Sequence, residues 1–106
     1  MFSINDLRSY NSEESILLTL HGRKRLEMRG IQIDDVISAI SCGEIIESYP
    51  DDFPYPSCLI LGKTSDGKPI HVVVSLNDEV IYLITAYYPD TEIWEPDLRT
   101  RKEKLP

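Results

Sequence analysis

Ile33, Val36, Ile37 and Ile40 recur at the spacing of one helix face, whereas from Ser57 onward short apolar, β-branched runs are separated by turn residues. The first pattern predicts a helix at about 33–42, with Asp34 and Asp35 in a first turn whose free N–H groups favour negative charge and Gly43 as its stop. A preceding helix is predicted at about 20–29, with Thr19 as N-cap and Gly30 as C-terminal glycine. "SILLT" (15–19) is too short for a helix of its own and reads as a strand, and residues 2–14 carry no clear signal.

In the second half, "EIIESY" (44–49) reads as a strand and "PDDFPYP" (50–56) as a loop, because three prolines cannot donate ladder hydrogen bonds. "SCLILGKT" and "KPIHVVVSL" flank an Asp66-Gly67 turn, and "LNDE" leads into "VIYLITAYY". The order predicts an α+β fold, with two N-terminal helices packed on one face of a twisted, mostly antiparallel sheet of four to five strands whose last three form a meander. Trp94 and Leu98 are expected to tie the polar tail back across the sheet. One domain over 1–106 follows, with a core at about 15–90 and a tail at 91–106 docked through Trp94.

Composition refines this picture. No segment approaches the ~18 consecutive apolar residues of a membrane span, and the opening ten residues lack the order of a secretory signal, so a cytoplasmic location away from membranes is expected. Cys42 and Cys58 form no CxxC pair and read as small buried hydrophobes in a reducing compartment. Eighteen acidic residues against eleven basic ones, a net charge of -7, argue against a general nucleic-acid binder.

The cations are nevertheless gathered: Arg23, Lys24, Arg25 and Arg29 in one cluster, Arg99, Arg101, Lys102 and Lys104 in a second. If the two meet they make a local positive patch; otherwise they are a solvated helix face and a basic tail. His21, Arg25 and Arg29 recur every four residues along one side of the predicted helix, a ladder suited to a phosphate or to neighbouring carboxylates.

His71 interrupts "PIHVVVSL" and needs a partner there. It reads either as a core histidine bonded to a backbone carbonyl or to Tyr87, or as a general acid or base. Alternation puts Tyr82 and Tyr88 on one face of their strand and Tyr87 on the other, where packing is the default role. No HxxxH or HExxH spacing supports a metal, and none is expected as ligand or cofactor.

"LTLHGRKRLEMRGI", "GEIIESYPDDFPYPSCLILGKTSDGKPIHVVVS", "ITAYYPD" and "WEPDLRTRK" together resemble the bacterial domain of unknown function 4258 family over roughly residues 16–102. Gly22 stands where that family usually has alanine and Tyr88 where glutamate is common. By element order the family is similar to RelE/BrnT-like type II toxin ribonucleases, which is analogy at the level of fold. The analogy implies metal-free cleavage of RNA by acid-base catalysis, with His21 and His71 for proton transfer, Arg25 and Arg29 as phosphate clamp, and Tyr87 or Arg101 completing the site. Arg23, Lys24, Arg99 and Arg101 would then hold RNA, with a cognate antitoxin protein and the RNA or ribosome as partners. The alternatives are a non-catalytic protein-binding module, in keeping with the acidic charge, and a structural domain in which His and Arg form a buried network.

Overall fold

In the computed structural model, which describes residues 1–103, the chain begins with a helix that periodicity does not reveal. Helix α1 (Ile4–Ser9) forms because Ser3 and Asp6 cap each other: the Ser3 hydroxyl accepts from the Asp6 N–H at 3.2 Å and the Asp6 carboxylate from the Ser3 N–H at 2.8 Å. Its one buried residue is Leu7. Arg8 then reaches the end of helix α3 (Ile33–Cys42), donating to the carbonyls of Ile40 at 3.1 Å and Gly43 at 2.8 Å, which gives the orphan groups of that helix terminus a cationic partner.

After a 3-10 turn at Glu13–Ser15, strand β1 keeps only Ile16–Leu17 of the predicted 15–19, because Thr19 is taken as N-cap of helix α2 (Leu20–Met28). The Thr19 hydroxyl accepts from the Gly22 N–H at 3.0 Å. At the other end Gly30 adopts φ +68°, and the paired bonds from Ile31 N–H to Leu26 C=O and from Gly30 N–H to Glu27 C=O close α2 in a Schellman motif. Helix α3 has the predicted bounds, but Gly43 stops it for a different reason. Its φ is -93°, open to any residue; a Cβ there would lie 2.4 Å from the Ala39 carbonyl oxygen and 2.6 Å from that of Leu61.

Strands β2 (Glu44–Tyr49), β3 (Ser57–Lys63), β4 (Pro69–Asn77) and β5 (Val80–Tyr87) form the expected antiparallel meander. The sheet order is β1-β5-β4-β3-β2, and β1 joins β5 in parallel, so the sheet has five strands and is mixed. The description as two helices on a four- to five-stranded sheet is thus corrected to three helices and five strands. The short α1 escaped because six residues with one fully buried side chain carry no measurable period.

Leu7, Leu26, Val36, Ala39 and Ile40 from the helices share one core with Cys58, Ile60, Ile70, Val72, Val74, Leu83 and Ala86 from the strands. Residues on the opposite side of β3 and β4, among them Leu59 and His71, are equally inaccessible, and over His71 the C-terminal segment accounts for this. Trp94 is 2% exposed. It faces His71, with ring centroids 4.6 Å apart. Of the cysteines, Cys58 is buried, its thiol pushed up to about 12 by desolvation, whereas Cys42 at the end of α3 is exposed, contrary to expectation; both are free. Among the described residues no helix is long and apolar enough to cross a membrane.

Candidate functional site

A bulge decides which side chains meet on the outer face of the sheet. His71 pairs with Tyr87 and Ser75 with Tyr82, and the register slips between Val73 and Val74, leaving Ile84 as the extra residue of β5. Tyr82 and Tyr87 therefore point to the same side as His71, where uninterrupted alternation had separated them. Tyr82 stacks on Tyr55 at 5.7 Å between ring centroids, while Tyr87 lies edge-on to the His71 imidazole at 5.3 Å.

His71 is fully buried and both ring nitrogens are engaged. Nε2 lies 2.7 Å from the Leu98 carbonyl oxygen and Nδ1 3.3 Å from the Tyr87 hydroxyl. A carbonyl only accepts, so Nε2 carries the proton; in the neutral ring Nδ1 then accepts from the Tyr87 O–H. Burial lowers the His71 pKa from its ordinary 6.5, opposed by the bond to Leu98 and the charge of Glu47. Burial likewise raises that of Tyr87, against the pull of Arg101 and Arg29. A neutral His–Tyr pair with a directed proton is the result.

Beside it sits a second polar group that no local pattern brings together. Arg101 donates from Nε and Nη2 to the two carboxylate oxygens of Glu47 at 2.8 and 2.9 Å and lies over the Trp94 ring at 4.6 Å. The Tyr49 hydroxyl donates to the same carboxylate at 2.5 Å. Arg101 holds the Glu47 carboxyl below its usual range, and desolvation together with Glu47 pushes the Tyr49 phenol up to about 12.

The cationic ladder lies elsewhere. His21, Arg23, Lys24 and Arg25 are exposed on α2 and make no ion pair among the described residues. His21 is separated from Arg29 by two turns, about 12 Å of helix axis. Arg29 alone among them bonds to the sheet, its Nη1 donating to Thr85 Oγ1 at 3.1 Å and to the Ala86 carbonyl at 2.8 Å. Thr85 pairs with Val73 and so shares the Tyr87 face, which sets the Arg29 guanidinium at the β5 edge within electrostatic reach of the Tyr87 hydroxyl.

Arg99 and Arg101 do not join this ladder. They pair with Glu44 and Glu47 on β2, at the other end of the strand order from β1 and β5, because those carboxylates face the tail there. Two separate basic groups replace the single patch, and Lys104 lies outside the described residues. No three metal-ligating side chains come together among the described residues.

A family defined as a domain of unknown function, DUF4258, matches residues 18–88, about two thirds of the chain. The chain belongs to the DUF4258 family. No curated protein and no solved structure matches it. The DUF4258 segment contains α2, α3 and the meander, hence Arg29, His71 and Tyr87, while Trp94, Leu98, Arg99 and Arg101 follow it in the chain. The His71–Tyr87 contact was open to sequence reasoning as one of two alternatives. Glu47, Tyr49 and the Leu98 carbonyl were not: a backbone acceptor has no residue signature, and Glu47 meets Arg101 across 54 residues of chain.

Proposed function

We propose that this protein is a metal-independent endoribonuclease of the RelE-like toxin type, cleaving RNA through attack of a 2′-hydroxyl on the adjacent phosphate. The supporting observation is the adjacency of Arg29 and the Tyr87–His71 pair. Nε and Nη2 of Arg29 make no bond to protein among the described residues and are directed donors for a phosphate oxygen. The hydroxyl of half-buried Tyr87 donates its proton to His71 Nδ1 and keeps lone pairs able to accept another. As the 2′-hydroxyl attacks, its proton passes to the Tyr87 oxygen while the tyrosine proton passes to His71 Nδ1. The imidazolium so formed keeps its Nε2–H on the Leu98 carbonyl and is favoured by the charge of Glu47.

Tyr87 stays neutral throughout, in keeping with the upward pressure of burial on its pKa. Arg25, one turn before Arg29 on the same face of α2, and His21 a further turn along, extend the contacts to neighbouring phosphates, and the leaving oxygen takes its proton from solvent. Arg23 and Lys24 add charge on the same helix. With net charge -7, affinity for bulk RNA is weak and salt-sensitive, and specificity comes from local contacts or from the ribosome.

The test is expression in a bacterial host, with purified protein assayed on messenger RNA with and without ribosomes. Arg29→Ala and Tyr87→Phe are each expected to lower cleavage by ~100-fold or more and to relieve growth arrest, and chelators to leave it unchanged. One observation favours a second reading, a non-catalytic protein-binding module: the imidazole of His71 is wholly inaccessible and already doubly bonded. A wild-type protein that neither arrests growth nor cuts RNA establishes that reading instead.

A further inference from the structure

We infer that the C-terminal hairpin at Ile93–Lys102 is an ion-pair clasp on strand β2 that holds the His71 proton at Nε2 and so keeps the Tyr87–His71 relay assembled. The hairpin is bonded within itself from Glu95 N–H to Thr100 C=O and from Lys102 N–H to Ile93 C=O, and Asp97 accepts from the Arg99 and Thr100 N–H groups at its turn. Leu98 at the tip adopts φ +60°, a left-handed conformation that a side-chain-bearing residue enters only under constraint. In that conformation its carbonyl oxygen lies 2.7 Å from His71 Nε2.

The holding points are all on one strand. Arg99 pairs with Glu44 and Arg101 with Glu47, and Arg101 also covers the Trp94 ring that closes over His71. Both ion pairs are partly exposed, with the Arg99 and Arg101 side chains 46% and 54% accessible. They are therefore the weak points of a segment that otherwise buries one tryptophan. Opening the clasp removes the Nε2 acceptor and admits water to the imidazole, leaving its proton free to exchange. That opening disables cleavage is the part of this inference resting on the proposed ribonuclease reading; the state of His71 is independent of it.

The two are read separately. His71 and His21 are the only histidines and Trp94 the only tryptophan, so each signal is assignable. In 15N-labelled wild-type protein at low salt, the His71 Nε2–H is expected to give a resolved proton resonance protected from exchange, with Trp94 emission in the blue. In Glu44→Gln/Glu47→Gln, which loses both ion pairs but keeps Trp94, exchange of that resonance is expected to quicken several-fold and acrylamide quenching of Trp94 to rise, with far-UV circular dichroism retained. Should that pair of substitutions unfold the sheet, Arg99→Gln/Arg101→Gln, which leaves β2 intact, decides by the same signals. Exchange and quenching in the folded variant as slow as in wild type overturn the clasp. Parallel loss of RNA cleavage supports the catalytic consequence, whereas a wild-type protein without cleavage sinks the ribonuclease reading and leaves the clasp to the spectroscopic result.

Discussion

Replacing Trp94 with alanine tests how the outer face of the sheet is covered. A buried aromatic of this size removes 150–250 Å² from water, and ~25 cal/mol per Å² makes that ~4–6 kcal/mol as an upper bound. The edge contact with His71 at 4.6 Å and the Arg101 guanidinium at 4.6 Å add ~0.5–1 kcal/mol each. The loss is capped, however, because the hairpin need not stay docked over a cavity. Without the indole, what remains is two partly exposed ion pairs worth ~0–1 kcal/mol each and one hydrogen bond of ~1 kcal/mol. These oppose ~1 kcal/mol per residue for ordering Trp94 to Arg101, so the hairpin releases. With each favourable contribution at its upper value, ~11 kcal/mol against ~8 kcal/mol for ordering, the net docking free energy is ~3 kcal/mol, the low end of the usual cost of Trp→Ala. Trp94→Ala should therefore cost at most about that and lower Tm by up to ~12 °C at ~4 °C per kcal/mol. Truncation after Asp90 should cost the same to within ~0.5 kcal/mol, since the substitution has already released what truncation deletes. Thermal and urea melts followed by far-UV circular dichroism measure both. A loss below ~1 kcal/mol for Trp94→Ala, or a truncation costing ~2 kcal/mol more, refutes the claim that the indole holds the tail.

The folded pKa of His71 is depressed below 6.5, so above that value neither state binds the proton and its contribution to stability is flat. As pH falls below about 6.5 the unfolded chain takes up a proton the native state refuses, and stability declines; His71→Phe should abolish this slope in melts between pH 7.5 and 5, and an unaltered slope assigns it to other groups. A separate decline is expected to begin below about 4.5, where the unfolded chain protonates Glu47 while Arg101 still holds the native carboxylate ionised, and Glu47→Gln should flatten that lower limb alone. Gly62→Ala places a Cβ 2.4 Å from the Ala39 carbonyl oxygen and 2.6 Å from its Cα, backbone that cannot yield without moving α3 off β3. It should lower stability by ~2–3 kcal/mol or more in urea denaturation, and a neutral substitution would show that the helix and strand are less closely packed than described.

Local signals in the chain sufficed for most elements whose cause lies within a few residues, α1 with its Ser3–Asp6 cap being the exception. Thr19 and Gly30 bound α2, the spacing of Ile33, Val36, Ile37 and Ile40 defines α3, and Asp66-Gly67 with the short "LNDE" link sets the order of β3, β4 and β5. The need of His71 for a polar partner was equally legible, because a histidine inside an apolar strand must satisfy both ring nitrogens. The tertiary structure decided what depends on register and on distant pairs. A single bulged residue at Ile84 turned Tyr87 to the side of Tyr82, a shift that period-2 reading cannot detect because one insertion inverts every later position. Charge by type did not say where Arg99 and Arg101 would go; the carboxylates of Glu44 and Glu47 took them to β2 rather than to the cations of α2. The second bond of His71 goes to the Leu98 backbone, 27 residues away, and every residue carries a carbonyl: only the folded path of the chain selects which one arrives.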